Sequence, residues 1–493
     1  MSPASPSPGP TVQFPLVDGA RSTTSTGRAV VADALRAVDP VGASAAERTA
    51  GWRRDYLPHF SRLVESGLAS PQAAVAIARA GLASLQSRMT WGEVPLGEAF
   101  AGADFGGADA GFGGGGALDT EVRSGRGVPE QEVSLPYRGE RLTGERLVAQ
   151  LDRWVSEGVI EPSARAAVLE VMDHPQWLGL GGRTVVVLGA GAEMGPLRAL
   201  LRWGARVAAV DLADAGLWRR VLADTEGAAG DLVVPVRAGA GSLAERAGLD
   251  LLQDLPAAGS WIEALAGPVV LGNYVYADGA TNVRLAAGID AMTAALLSRR
   301  EDLSLAYLAT PTDVFAVPGE AVAASAAAYE ASGAARLLRG TLRTMSGGRV
   351  LNRNYVPGLD PGINDSVVLQ QGPNYLLAKR VHRWRASAAR ADGVPVSLRV
   401  APPTRTRSVV KNRALAAAYA GAHRFGIEVF EPGTANTLMA VLLVHDVMSG
   451  RAPEGGPWRE EAFAAVHGGL WRTAYAPRSA LGLAAALGFA SAR

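Results

Sequence analysis

The sequence predicts an α/β protein: a doubly wound parallel sheet with an added, mainly helical N-terminal domain. Three observations predict it. Up to about residue 176 the apolar spacing is helical, as in Trp52, Tyr56, Leu57, Phe60 and Leu63. From Gly181 onward, short β-branched apolar runs alternate with helical stretches, the pattern of a parallel sheet buried on both faces. Between the first two of these runs lies a glycine-rich turn, GAGAEMG, at residues 189–195.

Taken in order, residues 1–20 are rich in Pro and Ser and read as a disordered tail. Residues 21–176 form the helical domain, with two or three helices between 45 and 88. Its segment 101–119, AGADFGGADAGFGGGGALD, follows no strand and reads as a linker or lid instead of a phosphate cradle. Helices resume where Thr143 caps GERLVAQLDRWVSEG and where Pro162 and Ser163 open a second helix that His174-Pro175 stops. Residues 177–493 carry strands at 183–188, 205–210, 232–236, 268–271, 303–308, 349–351, 395–400 and 427–430. Helices are expected at 198–203, 261–266, 282–298, 320–344, 366–389 (with a break at Gly372-Pro373) and 409–425. The remainder is a C-terminal helical extension.

Composition narrows the function classes. The 493 residues carry a net charge of +1, which asks for neither nucleic acid nor an anionic membrane as partner. With no cysteine there is no disulfide, thiolate zinc site, iron–sulfur cluster or cysteine nucleophile. No signal peptide and no apolar stretch of ~18 residues is found, so a soluble, cytoplasmic protein is expected, and a homo-oligomer is compatible with the sequence. Of 48 basic residues only Lys379 and Lys411 are lysine. Where nearly every cation is arginine, a retained lysine points to a place that needs a compact ammonium with a tunable pKa, although two chance codons would leave the same trace.

The glycine turn has the form of a Rossmann nucleotide site. Gly189 makes the tight turn, Gly191 lets backbone approach a ligand, and Gly195 lets the following helix pack on the sheet, whose first amides offer an anion site. Asp211, at the end of the second strand, stands where a carboxylate accepts hydrogen bonds from a ribose diol and repels a 2′-phosphate. This favours NAD, while Arg219 and Arg220 keep NADP open. The same turn and acid also resemble the first motif of S-adenosylmethionine-dependent methyltransferases, so the loop alone leaves both cofactors in play. Asn273, past a later strand end in GNYVYADG, faces the crevice where such sheets bind ligands, with Tyr274, Tyr276 and Asp278 close by in sequence.

Tyr375 and Lys379 stand four residues apart on one helix face and can present a phenol and an ammonium to one site. A nearby cation lowers a phenol pKa toward neutrality, which makes it a general acid or base for a carbonyl or alcohol. The same spacing suits a core tyrosine and a snorkelling lysine on an ordinary amphipathic helix. The helix SVVLQQGPNYLLAKRVHRW with its Tyr-x-x-x-Lys pair, the preceding SGGRVLNRNYVPGLDPG and the following VPVSLRVAPPTRTRSV resemble the short-chain dehydrogenase/reductase family over about residues 181–410. The resemblance implies a fifth strand and its loop in SGGRVLNRNYVPGLDPG, a sixth strand in VPVSLRV, a proton delivered by Tyr375 and a nicotinamide ribose held by Lys379.

Where that family places a serine, this chain aligns Asn354 and Tyr355, and Asn354 is taken as an amide donor to a substrate oxygen. Ser366 is no clear substitute, and residues 232–308 hold one more strand–helix unit than the family needs. His382, one turn beyond Lys379, reads as a core or surface residue, and no histidines pair as metal ligands. Thr310 to Pro318 follow a strand and are placed to shape a substrate pocket; Lys411 opens a helix whose first turn could meet an anion. Neither a Walker motif nor Gly-x-Ser-x-Gly is present. The expected function is hydride transfer between NAD(H) and a small carbonyl or alcohol substrate. The alternatives are methyl transfer from S-adenosylmethionine and nucleotide binding without turnover.

Overall fold

The apolar runs of the second half of the chain form one seven-stranded sheet in the computed structural model, which describes residues 9–101, 118–331, 335–451 and 453–491. The strands are β1 (Asp119–Arg123), β2 (Thr184–Leu188), β3 (Arg206–Val210), β4 (Leu232–Val236), β5 (Val269–Asn273), β6 (Leu303–Ala309) and β7 (Val396–Val400). They lie in the order β7-β6-β5-β2-β3-β4-β1. β2 to β7 are mutually parallel, and β1 runs antiparallel along the outer edge of β4. The order reverses between β2 and β5, so the chains leaving these two strands part and open a crevice at the C-terminal edge of the sheet.

Burial on both faces explains the unbroken apolar runs. In β2, Val186 and Leu188 face one buried cluster while Val185 and Val187 face the other. β3 does the same with Ala208 and Val210 against Val207 and Ala209. A strand covered on both sides has no polar face to show. Each valine or leucine so buried contributes about 1.5–3 kcal/mol of transfer free energy. The register then levels the strand ends: Leu188 stands beside Val210 and Asn273, and Asn273 beside Tyr307. Gly189, Asp211 and Tyr274 therefore leave the sheet side by side.

Helices α1 (Leu197–Arg202), α2 (Ala215–Asp224), α3 (Leu255–Glu263), α4 (Gly279–Leu297) and α5 (Gly372–Ala391) follow β2, β3, β4, β5 and β6. α2 starts sharply because the Asp214 carboxylate caps it, accepting from Leu217 N at 2.6 Å. The N-terminal helices Thr23–Arg36 and Pro71–Arg88 pack on α5 and share its buried cluster. Close approach there depends on Gly81, where a Cβ would lie 2.5 Å from the Trp384 ring of α5. A three-helix clasp fixes the same junction: Arg385 donates to both oxygens of Asp290 on α4 (2.6 and 3.0 Å), and Gln86 donates to Asp290 at 2.7 Å. The helix carrying Tyr375 and Lys379 is thus held from the sheet side and from the N-terminal side.

Several expected elements differ. Residues 349–351 form no strand: Gly347, Gly348 and Leu351 all have positive φ (+61°, +79° and +56°), which bends the chain out of any extended run. Residues 427–430 give only one isolated bridge, Thr404 to Phe430. The expected helix 366–389 begins at Gly372, because Pro373 suits a first helical turn and Ser366 to Val368 are extended loop. The expected helix 409–425 is broken into α6 (Arg407–Lys411), α7 (Arg413–Gly421) and a short 3₁₀ turn, with Asn412 capping α7. β1 went unforeseen, since DTEVR offers one apolar residue. Within the stretch expected to be a disordered tail, Val12 is fully buried and pairs with Trp91. Of the segment expected to be a lid, residues 102–117 lie outside the described residues.

Candidate functional site

The glycine turn closes over the end of β2. Gly189 has φ +85°, and a Cβ there would come within 3.1 Å of the Tyr274 carbonyl carbon and Val275 nitrogen in the β5 loop. Any other side chain would be strained and would push the two loops apart. The Gly191 amide donates to Asp211 Oδ2 at 2.8 Å, and Leu212 N donates to Oδ1 at 2.8 Å. Burial nonetheless holds the Asp211 carboxyl above its ordinary range, opposed by these two hydrogen bonds. Gly195 sits over β2 with room for Val187 beneath it. The expected anion site at the helix start is altered: α1 begins only after Pro196 and is six residues long, and in the turn before it the amides of Gly189, Ala190, Gly191, Ala192 and Gly195 already donate to oxygens of the protein itself. Glu193, the acid of the turn, is tied to α6, accepting from Arg407 N at 2.8 Å. Arg219 and Arg220 are exposed on α2.

Beside this turn, three segments converge. From the β5 loop, Tyr276 sets its ring edge-on to that of Tyr375, with centroids 6.1 Å apart, while its hydroxyl donates to Asp278 at 2.7 Å. From β6, Thr310 bonds to Thr312 through their hydroxyls at 2.9 Å and to the Tyr375 phenol. From α5 come Tyr375 and Lys379. The phenol is pushed up to about 12, by burial first and by the Asp313 charge as well, with the Thr310 hydrogen bond opposing. The expected lowering by Lys379 is absent: the charge that acts on the phenol is that of Asp313, and it raises the pKa in the same direction as burial. Lys379 itself is brought down to about 8 by burial, against the pull of Asp313, and among the described residues no carboxylate pairs with it.

Asn273 is buried at the end of β5. Its Oδ1 accepts from Val275 N at 3.2 Å, which turns its amide nitrogen toward His382 Nε2 at 3.3 Å. Nε2 is then the acceptor, and the ring proton falls on Nδ1, which is buried with no partner. The imidazole stacks on Tyr307 (5.5 Å, 28°), and burial together with the Lys379 charge holds its pKa well below the usual value, so it is neutral. His382 is therefore a core residue, and it carries Asn273.

Asn354 is not brought to this site. Its amide donates to the carbonyls of Leu470 (3.3 Å) and Thr473 (3.2 Å), and its oxygen accepts from Asn364 at 3.4 Å. An amide committed to two carbonyls has no hydrogen left for a substrate oxygen. Ser366 is likewise spent on Asn364 Oδ1 at 2.5 Å. The hydroxyl next to Tyr375 is that of Thr310, which the sequence placed in a pocket-shaping segment but did not pair with Tyr375, because the fifth strand was expected at 349–351. Counting parallel strands from Thr184, the fifth is Leu303–Ala309, and Thr310 is the next residue. The surplus strand–helix unit disappears with the same count.

A buried ion network locks the Thr310 loop to α5. Asp313 accepts from Arg380 (3.1 Å) and Arg383 (2.7 Å), and Arg383 also donates twice to Glu461 at 2.6 Å. All four are buried or nearly so. Lys411 is exposed on α6, apart from this cluster. Among the described residues, no group of three or more His, Cys, Asp or Glu is placed to hold a metal ion, and no helix is long and apolar enough to cross a membrane. Compared with known proteins, the chain matches no family model and no curated protein.

Proposed function

We propose that the chain is an NAD(H)-dependent oxidoreductase of the short-chain dehydrogenase/reductase type, built on a Rossmann sheet, that interconverts a carbonyl and an alcohol. The observation that carries this reading is the meeting of Thr310 and Tyr375 at the C-terminal edge, beside the point where the strand order reverses, with Lys379 one turn further along α5. The residues present suit a dinucleotide. Gly189 lets the turn close tightly on the β5 loop, and Asp211 accepts two backbone hydrogen bonds while a carboxylate has about four acceptor sites, so capacity remains for a diol. Asp211 and the 189–195 turn would hold the adenosine half, and Lys379 and Asn273 the nicotinamide half. When bound, the nicotinamide supplies the hydride for reduction and accepts it for oxidation.

The chain's own groups then handle the proton. With its pKa near 12 the Tyr375 phenol is protonated at neutral pH and gives its proton to the oxygen of the carbonyl as it becomes an alcohol. Thr310 orients that oxygen by a hydrogen bond. The Lys379 ammonium stabilises the phenolate left behind. Because Lys379 loses its proton above about 8, reduction should proceed at neutral pH and fall as pH rises through that value. NADH consumption with uncharged aldehydes and ketones across pH tests this; a rate indifferent to pH between about 7 and 10 would remove Lys379 from the mechanism.

Replacing the ammonium is a sharper probe. Lys379→Arg keeps a charge but puts a flat, larger and permanently protonated group in a half-buried position, so turnover should drop well over tenfold and the limb near pH 8 should vanish. Lys411→Arg, on the exposed α6, should be silent. Equal, small effects in both would reduce the two lysines to codon accidents. For Asp211→Ala, loss of the diol's acceptor and of the repulsion toward a 2′-phosphate should weaken NADH binding and relax discrimination against NADPH. An unchanged NADH/NADPH preference in a titration would contradict the assignment of Asp211.

A further inference from the structure

A pocket of about 60 Å³ lies next to the proton-handling residues, between the core and the crossed pair α7 and α8 (Pro477–Ser491). Its walls are nearly all apolar: Ala418, Phe425 and Ile427 on one side, Ala480, Leu481 and Ala484 on the other. One link joins it to the site: Thr312 lines the pocket and bonds to Thr310, the hydroxyl beside Tyr375. Tyr419 of α7 lines it too. One charged side chain, Arg478, reaches the lining, and its guanidinium is already paired with Asp365 at 2.5 Å. A charged group on a ligand in this pocket would have no free counter-ion and would lose its hydration without return.

Resting on the oxidoreductase reading, we propose that the substrate is an uncharged aliphatic ketone or aldehyde whose hydrocarbon body fills this pocket, with its oxygen at the Thr310–Thr312 end. The balance of the step is simple. Hydride adds to the carbonyl carbon, the carbon–oxygen π bond opens onto oxygen, and oxygen takes the phenol proton, giving the alcohol, with the nicotinamide oxidised in the exchange. At about 60 Å³ the pocket suits a short hydrocarbon body.

The test is a series of unbranched 2-alkanones, from acetone to 2-decanone, used two ways. In turnover with NADH, kcat/KM should rise about fourfold for each added methylene, the equivalent of about 0.8 kcal/mol per buried CH₂, and then stop or fall once the body exceeds about five carbons. In the absence of NADH, the melting temperature at fixed ketone concentration should follow the same order. Ala480→Leu should move the optimum to shorter ketones and Leu481→Ala to longer ones, so a single misfolding variant does not decide the matter. A flat dependence on length in both readouts, or a preference for 4-oxo acids with a free carboxylate, overturns the substrate class. Failure of the oxidoreductase reading looks different: the ketones would still raise the melting temperature in order of length, while NADH would be neither bound nor consumed.

Discussion

Tyr375→Phe should cut turnover by ~10² or more while leaving NADH affinity nearly intact. The change removes one oxygen from a ring that stays packed edge-on against Tyr276, so the fold and the crevice keep their contacts. What is lost is the proton donor and the partner of Thr310. The drop is expected in kcat and in kcat/KM alike, because the proton moves in the transition state and not in the ground state. A variant with full activity would return Tyr375 to the role of a core aromatic residue.

The largest effect on stability is expected at Arg383. Arg383→Met leaves Glu461 without its guanidinium and Asp313 with Arg380 as its one remaining cation, in a dry interior. Removing one member of such a buried set costs about 3–5 kcal/mol, because an uncompensated charge is left behind. The exposed pair Arg79–Asp392, with side chains 54% and 60% accessible, is the contrast: Arg79→Ala should cost no more than about 1 kcal/mol. Urea unfolding of the two variants beside the parent measures both. The Asp313 carboxyl lies below its ordinary range under the pull of Arg380 and Arg383. Its contribution is therefore complete above the ordinary carboxylate pKa of 3.8 and is lost as pH falls below it, so the gap between Arg383→Met and the parent should narrow in acid.

Local chemistry was legible in the sequence, and placement across the sheet was not. VVVL, GAGAEMG and VAAV announce β2, its turn and β3 because a strand buried on two faces and a turn needing positive φ restrict residue types strongly. The Tyr375–Lys379 spacing was readable for the same reason, since a helix face is local geometry. Thr310 was read as part of a pocket-shaping segment but not as the neighbour of Tyr375, because that depends on which strand precedes α5 in space, and the insertion between Thr310 and Gly372 hides it from a linear reading. Asn354 was misread through the same error, as its partners Leu470 and Thr473 come from the far end of the chain. His382 could not be assigned from sequence either, since its role rests on Asn273, a residue of β5.

The sign of the shift on Tyr375 carries a related lesson. Proximity to a lysine predicted a lowered phenol, but how deeply a hydroxyl is buried is a property of packing, and here burial dominates. The outcome suits a group that must be protonated to act as an acid. The N-terminal helices contribute through the same packing, because Gly81 admits Trp384 and Asp290 holds Arg385, fixing the orientation of α5.

If the turn at 189–195 and Asp211 hold NAD(H), as proposed, the nucleotide should stabilise the fold, and a thermal shift reads this. Thermal unfolding is followed with NADH, NADPH or S-adenosylmethionine present at equal, high concentration. A ligand at ~100 times its Kd adds about 2.7 kcal/mol to the folded state. The account predicts that NADH stabilises the parent protein most, that NADPH does so less, and that the NADH effect shrinks in Asp211→Ala. Stabilisation by S-adenosylmethionine with none from either nicotinamide nucleotide would contradict it.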